Sequence, residues 1–289
     1  MCLDAEMQTR LTMNNVINLP NGRTLNLIEP VIMGILNVTP DSFSDGGKFI
    51  DPNLAVQRAI KLLSDGAKII DIGGESTRPG AQAVSLDDEL ERVIPIIKAI
   101  RAQSDCVISV DTSKAEVMRQ AILAGADMVN DVRALQEPDA LSVVAQFENI
   151  AICLMHMQGR PRSMQTSPQY NDLMGDMNEF FKNRIIACET MGIKAQQLIL
   201  DPGFGFGKTL SHNYEILTKF NDFNKFGLPL LAGLSRKSMI GNLLNRGTSE
   251  RMAGSLAGAL IAAQNGAKII RVHDVKETAD VLGVYQACI

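Results

Sequence analysis

Short apolar runs recur along the chain, each closing on a polar or ionisable residue, and longer stretches of helical composition separate them. Apolar runs of about four to eight residues, bounded by Gly or Pro and alternating with amphipathic stretches, predict βα units built on a parallel sheet. The predicted strands cover residues 31–38, 69–73, 107–111, 128–132, 151–156, 198–201, 228–234 and 269–272. Helical composition dominates 54–64, 87–101, 170–191 and 249–264. The polar endings are Asn37, the run Glu75-Ser76-Thr77-Arg78, Asp111, Asn130-Asp131, His156, Asp201, the run Ser235-Arg236-Lys237, and Arg271 with His273.

An internal echo supports the repeat. Asp65-Gly66-Ala67-Lys68-Ile69-Ile70, Ala124-Gly125-Ala126-Asp127-Met128-Val129 and Asn265-Gly266-Ala267-Lys268-Ile269-Ile270 share one design, with Gly192 in a looser copy. Each Gly is expected to end a helix in the left-handed conformation and turn the chain into the next strand. Eight such units in 289 residues predict a single (β/α)8 TIM barrel, with long mobile loops after strands 1 and 2. Catalytic groups of such barrels sit on loops at the strand C-termini, so the polar endings converge on one rim. A doubly wound open sheet is the competing architecture, but it would gather chemistry at a switch point instead of after every strand.

Composition narrows the setting. An apolar content of 46% is ample for one large core, and no Pro/Ser-rich linker divides the chain. The first twenty or so residues hold Asp4 and Glu6 and no apolar signal-peptide core, so residues 1–14 are expected to be a poorly ordered extension and 15–289 the barrel domain. No apolar stretch is long enough for a bilayer, and a net charge of -4 leaves no footprint for nucleic acid. The five cysteines, Cys2, Cys106, Cys153, Cys188 and Cys288, are widely spaced and expected to be free thiols in a cytoplasmic protein. A nucleophilic Cys106 or Cys153 lacks an assignable base; buried structural thiols are favoured.

The endings sort into chemistries. Asn37 opens the long polar loop 37–48 and offers a hard amide oxygen suited to Mg2+, although a turn role is the simpler alternative. The segment Gly73-Gly74-Glu75-Ser76-Thr77-Arg78-Pro79-Gly80-Ala81 joins hydroxyls to a guanidinium and suits phosphate or carboxylate, or else is a surface turn. Asp111, Asn130 and Asp201 can together hold a flat nitrogen heterocycle with a guanidine-like edge. Arg236, Lys237, Arg271 and His273 form a cationic set, and residues two apart on a strand face the same way, which brings Arg271 and His273 to one anion. The glycine-rich run 201–208 lacks both the Walker and the Rossmann endings and reads as a flexible loop with an aromatic face.

Five blocks, residues 37–47, 73–81, 201–208, 235–238 and 271–273, resemble the signatures of the dihydropteroate synthase family, in family order, across about residues 30 to 285. The resemblance implies transfer of a dihydropterin methyl group from its diphosphate to 4-aminobenzoate, in folate synthesis, by a dissociative path with Mg2+. It implies that Asp111, Asn130, Asp201 and Lys237 hold the pterin, with Met155 against the ring. Thr77, Asn37, Arg271 and His273 would hold the diphosphate, with Mg2+ at Asn37. Arg78, Pro79, Gly205, Phe206, Lys237 and Ser238 would line the aminobenzoate pocket, where sulfonamides bind in this family. Catalysis would fall to Asp111, Lys237, Arg271, His273 and Asp45, the last contacting the amine or the pterin cation. A cytoplasmic homodimer is also implied.

Two other readings remain. A methyltransferase of the same superfamily, acting on methyltetrahydrofolate, would keep the pterin carboxylates but need no diphosphate site; Thr77-Arg78, Lys237 and Arg271 with His273 argue against it. A non-catalytic pterin-binding homologue would be expected to lose the Mg2+ or aminobenzoate residues, which are present.

Overall fold

The structure, a computed structural model, describes residues 15–39, 52–76, 83–159 and 168–289. Asp45, Thr77, Arg78 and Pro79, the two long loops and the extension 1–14 lie outside those residues.

The predicted barrel is present. Strands β3 (Val31–Asn37), β4 (Ala67–Gly73), β5 (Val107–Asp111), β6 (Met128–Asp131), β7 (Ala151–Met155), β8 (Leu198–Asp201), β9 (Leu230–Ala232) and β10 (Ala267–Val272) close in the order β10-β3-β4-β5-β6-β7-β8-β9. Every neighbouring pair is parallel. Around them run α1 (Pro52–Ser64), α2 (Leu86–Arg101), α3 (Ala115–Ala124), α4 (Ala140–Val144), α5 (Leu173–Thr190), α6 (Leu210–Thr218), α7 (Ser238–Leu244), α8 (Met252–Gln264) and α9 (Val275–Gln286). Gly66, Gly125 and Gly266 all take positive φ, as the repeated design requires. The strand over 228–234 is shorter than expected, and the helix over 249–264 starts at Met252 after a separate turn at Thr248–Glu250.

Strand residues alternate between two cores with a period of two. Ile70, Ile72, Ile108, Val110, Val129, Ile152, Leu154, Leu198, Leu200 and Ile270 face outward into the layer shared with the helices. Met33, Ile69, Val107, Met128, Cys153, Ile199, Leu231 and Ile269 face inward and fill the barrel. Above them, on the same inward parity, the side chains turn polar: Asp71, Ser109, Asp111, Asn130, Asp201 and Arg271.

The N-terminal end carries an element that the sequence reading did not predict. Strands β1 (Val16–Asn18) and β2 (Thr24–Asn26) form an antiparallel hairpin ahead of the first barrel strand, within the domain expected from residue 15 onward. Ile17, Leu19, Leu25 and Leu27 pack into the inward-facing cluster. Arg23 anchors the hairpin, its Nε and Nη2 donating to Asp127 Oδ1 at 2.9 and 2.5 Å. Arg101 Nη2 donates to the other oxygen at 2.5 Å, so the fully buried Asp127 is held from both sides. No helix among the described residues is long and apolar enough to cross a membrane.

Candidate active site

The site grows from the polar layer of the barrel. Arg271, on β10, reaches Asp71 Oδ2 with Nε at 2.6 Å and Asp111 Oδ2 with Nη2 at 2.6 Å. Asp71 also accepts from Ser109 Oγ at 2.6 Å and Asn130 Nδ2 at 3.2 Å, which uses both carboxylate oxygens. Burial without such partners would cost each ion several kcal/mol, about what the shared guanidinium and hydrogen bonds offset. Asp71 and Ser109 are the functional residues that the strand endings missed. They sit two residues before Gly73 and Asp111, so a carboxylate and a hydroxyl at inward parity inside apolar runs were the available signal.

Asn37, Gly73, Asp111 and Asn130 lie on one continuous row of strand partners. Gly73 keeps that row open: the position a Cβ would take there is 3.8 Å from both Asn37 Oδ1 and Asp111 Oδ2. Burial pushes the Asp111 carboxyl up to about 7, with Arg271 opposing the rise and Asp71 and Asp131 adding to it. Burial also raises Asp201, against the pull of Lys237, and Asp201 Oδ1 accepts from Gly203 N at 2.7 Å.

Lys237 forms the opposite wall. Its Nζ donates to Phe204 O at 2.7 Å and lies 4.5 Å from the centre of the Phe206 ring. Desolvation lowers its ammonium to about 8, with Asp201 working the other way. Met155, Phe206 and Val132 form a small apolar cluster of their own at this rim, with Met157 beside it. Gly205 N donates to Asn213 Oδ1 at 2.6 Å, and Ser238 is exposed as the first residue of α7. Arg236 adopts a left-handed backbone (φ 56°) and pairs with Asp274 instead of entering the site, its Nε donating to Asp274 Oδ2 at 2.9 Å. That kink leaves Ser235 beside His273, Oγ to Nδ1 at 3.1 Å, and Lys237 on the Phe204 carbonyl.

Lys208 is a third residue that sequence reasoning did not single out. It is buried, and its Nζ donates to three carbonyls, His156 O, Gly203 O and Phe206 O, at 3.2, 2.9 and 3.1 Å. The ammonium thereby ties the loop after β8 to the end of β7. Gly203 makes the approach possible, because a Cβ there would lie 2.1 Å from His156 O.

The remaining endings are architectural. Asp131 accepts from Ser113 Oγ, Arg133 N and Leu135 N at 2.5, 2.8 and 2.7 Å and so shapes its own loop. His156 packs edge-on to Phe180 at 4.9 Å, and desolvation lowers its imidazole to about 2, so it stays neutral. Glu75 is held by Lys114 Nζ at 2.5 Å, which also bonds the buried Glu89 at the base of the second loop. Cys106, Cys153, Cys188 and Cys288 are free thiols; burial raises the first three, and Cys153 belongs to the barrel interior.

Residues 33–273 match the family model described as pterin binding enzyme. The chain is 55% identical over 266 residues to the dihydropteroate synthase of Escherichia coli K12, covering 92% of this chain and 94% of that protein. This chain belongs to the dihydropteroate synthase family. The Haemophilus influenzae dihydropteroate synthase is 54% identical over 92% of this chain and 97% of its own length. Among solved structures, the Yersinia pestis dihydropteroate synthase with a sulfonamide drug complex superposes with a TM-score of 0.88 at 54% identity, over 93% of this chain and 97% of that one. A Xanthomonas albilineans dihydropteroate synthase with 4-aminobenzoic acid gives 0.89 at 48% identity, over 95% and 98%. Membership in the dihydropteroate synthase family gives the polar layer its substrate class, because a pterin presents the row of N-H donors that the carboxylates accept.

Proposed function

We infer that the chain is a dihydropteroate synthase of folate synthesis, condensing (7,8-dihydropterin-6-yl)methyl diphosphate with 4-aminobenzoate to give 7,8-dihydropteroate and diphosphate. The observation that carries this is the buried set Asp71, Asp111, Asn130 and Asp201 beside the apolar faces of Met155 and Phe206, in a chain 55% identical to a dihydropteroate synthase. Carboxylates and an amide suit the guanidine-like edge of a pterin, and the apolar faces suit its flat ring.

In the mechanism proposed for this site, the bond from the methylene carbon to diphosphate oxygen breaks first. The pair of electrons leaves with diphosphate. Asp111 and Asp201 lie where they can stabilise positive charge developing on the pterin, and this differential stabilisation of the transition state favours a dissociative path. The neutral aromatic amine then attacks the methylene carbon, and the proton it gives up afterwards passes to the released diphosphate. Lys237 and Phe206 form the wall against which the amine is placed, with Gly205 and Ser238 alongside; Arg78 and Pro79 complete that pocket in the same reading. Asp45 is assigned to contact the amine or the pterin cation. Thr77 and His273 are assigned to diphosphate. Arg271 is assigned to diphosphate as well, and its guanidinium bridges Asp71 and Asp111, which supports a second role in fixing the pterin carboxylates.

Mg2+ fits this rim. Asn37 offers an amide oxygen that faces the space left open at Gly73, 3.8 Å from the position a Cβ would take there, and no cluster of three or more His, Cys, Asp or Glu among the described residues forms a protein-only metal cage. Mg2+ commonly takes one or two protein oxygens and completes its shell with phosphate and water. Bound there, it would neutralise charge on the departing diphosphate. The enzyme is also assigned to the cytoplasm as a homodimer. Exposed Leu243, Leu244, Met252 and Ile261 on α7 and α8 support a paired surface, checked by light scattering after gel filtration.

The deciding assay supplies the pterin diphosphate and labelled 4-aminobenzoate to purified protein with Mg2+. Labelled dihydropteroate is expected; pterin binding without product would overturn the assignment.

A further inference from the structure

We propose that Ser235 sets the tautomer of His273, holding its imidazole with the proton on Nε2 so that the ring presents an N-H donor to the departing diphosphate. Ser235 is buried, and its Oγ is engaged twice by the same residue. It accepts from the His273 backbone N-H at 3.2 Å and meets His273 Nδ1 at 3.1 Å. A serine hydroxyl carries one proton and must place it on an acceptor when water is excluded. Among the described residues Nδ1 is the acceptor within reach of Oγ. With the backbone N-H already directed at the oxygen, the hydroxyl proton goes to Nδ1, and a neutral ring must then carry its own proton on Nε2.

The arrangement depends on two local features. The left-handed backbone at Arg236 turns that guanidinium to Asp274, and Ser235 stays against β10. Arg236 N donates to Ser255 Oγ at 2.9 Å, which fixes the kink on α8. Ser235 is therefore a positioning residue: it touches the ring and acts on the anion through it. A fixed donor aimed at developing negative charge acts without reorganisation at the moment of bond cleavage, which is where such donors contribute most. Assigning the anion as diphosphate rests on the synthase reading; the tautomer does not.

The test is nitrogen-15 NMR of histidine-labelled protein, with His273 assigned by comparison with His273→Gln, and steady-state kinetics on the same preparations. The wild-type ring is expected to show a protonated Nε2 and a hydrogen-bonded, unprotonated Nδ1. Ser235→Ala should remove the hydrogen-bond shift at Nδ1 and lower kcat about tenfold, the rate equivalent of one lost hydrogen bond, with KM for 4-aminobenzoate unchanged. Ser235→Thr, which keeps the hydroxyl, should restore both. A proton on Nδ1 in the wild type overturns the proposal, and so does a Ser235→Ala variant whose ring signals or kcat match the wild type. If the wild type makes no dihydropteroate, the synthase reading fails, while the spectrum still decides the tautomer.

Discussion

Arg271 and Asp71 meet inside the barrel over the intervening strand β3, Nε to Oδ2 at 2.6 Å, although they lie 200 residues apart in the chain. The same guanidinium holds Asp111, so removing it strands two buried carboxylates. Arg271→Ala is expected to destabilise the fold by about 3–5 kcal/mol in urea denaturation and to weaken pterin affinity along with turnover. In a double-mutant cycle, Asp71→Asn should recover part of that loss. Strict additivity would show that the pair is not coupled.

The pH profile follows from two shifted groups. Burial raises Asp111 to about 7 and lowers Lys237 to about 8. An ionised Asp111 is the form that stabilises a cation, so kcat/KM for the pterin diphosphate should rise as pH passes about 7 and fall beyond about 8, where Lys237 loses its proton. The stability contribution runs the other way on the acid side: the folded carboxyl binds its proton above the unfolded value of about 4. Its contribution therefore falls as pH rises from about 4 toward about 7. Asp111→Asn should lower turnover strongly and remove the acid limb. An unchanged limb in that variant would assign it to another group.

Lys208 directs three hydrogen bonds at backbone carbonyls and carries the loop that presents Phe206 and the Phe204 carbonyl. Lys208→Met is expected to cost about 2–3 kcal/mol of stability and to raise KM for 4-aminobenzoate severalfold, with pterin affinity nearly unchanged. Isothermal titration with each ligand separates the two. Equal weakening of both would indicate general loosening of the rim.

The hairpin seals the end of the barrel opposite the chemistry. Leu25→Ala should therefore destabilise by about 2–5 kcal/mol while leaving kcat/KM at the wild-type value below the melting transition. Thermal denaturation and the synthase assay on one preparation check both halves, and a specific loss of kcat/KM would tie the hairpin to the site.

The barrel was legible because its signal repeats: apolar runs with polar strand endings recur eight times, and the glycine-ended helix before a strand recurs at Gly66, Gly125 and Gly266. The endings alone did not separate chemistry from architecture; strand parity does. Asp111, Asn130, Asp201 and Arg271 share the inward parity of Ile69 and Ile199, whereas Asp131 and His156 fall on the outward parity of Val129 and Leu154. By the same count Asp71 and Ser109 belong to the site, although no strand ends there. The hairpin left a weaker trace, Ile17, Leu19, Leu25 and Leu27 alternating about Pro20-Asn21-Gly22, whose Asn21 and Gly22 both take positive φ. Its strands of three residues are too short for periodicity to reveal. Lys208 was not legible at all, since its partners are carbonyls brought together only by the fold.

Asn37 decides whether the metal is held by the protein or arrives with the substrate. Its Oδ1 faces the Gly73 gap together with Asp111 Oδ2, and a single neutral amide binds Mg2+ weakly without phosphate oxygens to complete the shell. Free protein should therefore bind Mg2+ poorly in titration calorimetry, and affinity should rise sharply when diphosphate is added. Chelation with EDTA should abolish turnover, with recovery on adding Mg2+. Asn37→Ala is expected to raise the Mg2+ concentration for half-maximal rate by about tenfold, one lost ligand interaction of about 1.4 kcal/mol, while pterin affinity without diphosphate stays at the wild-type value. Gly73→Ala probes the same point from the other side: its Cβ would stand 3.5 Å from Asp111 Cβ and 3.8 Å from Asn37 Oδ1. That is ordinary contact, so the variant should fold, and the added methyl would crowd the Asn37 amide oxygen that is assigned to Mg2+. An Asn37→Ala enzyme with unaltered Mg2+ dependence would place the ion on substrate oxygens alone.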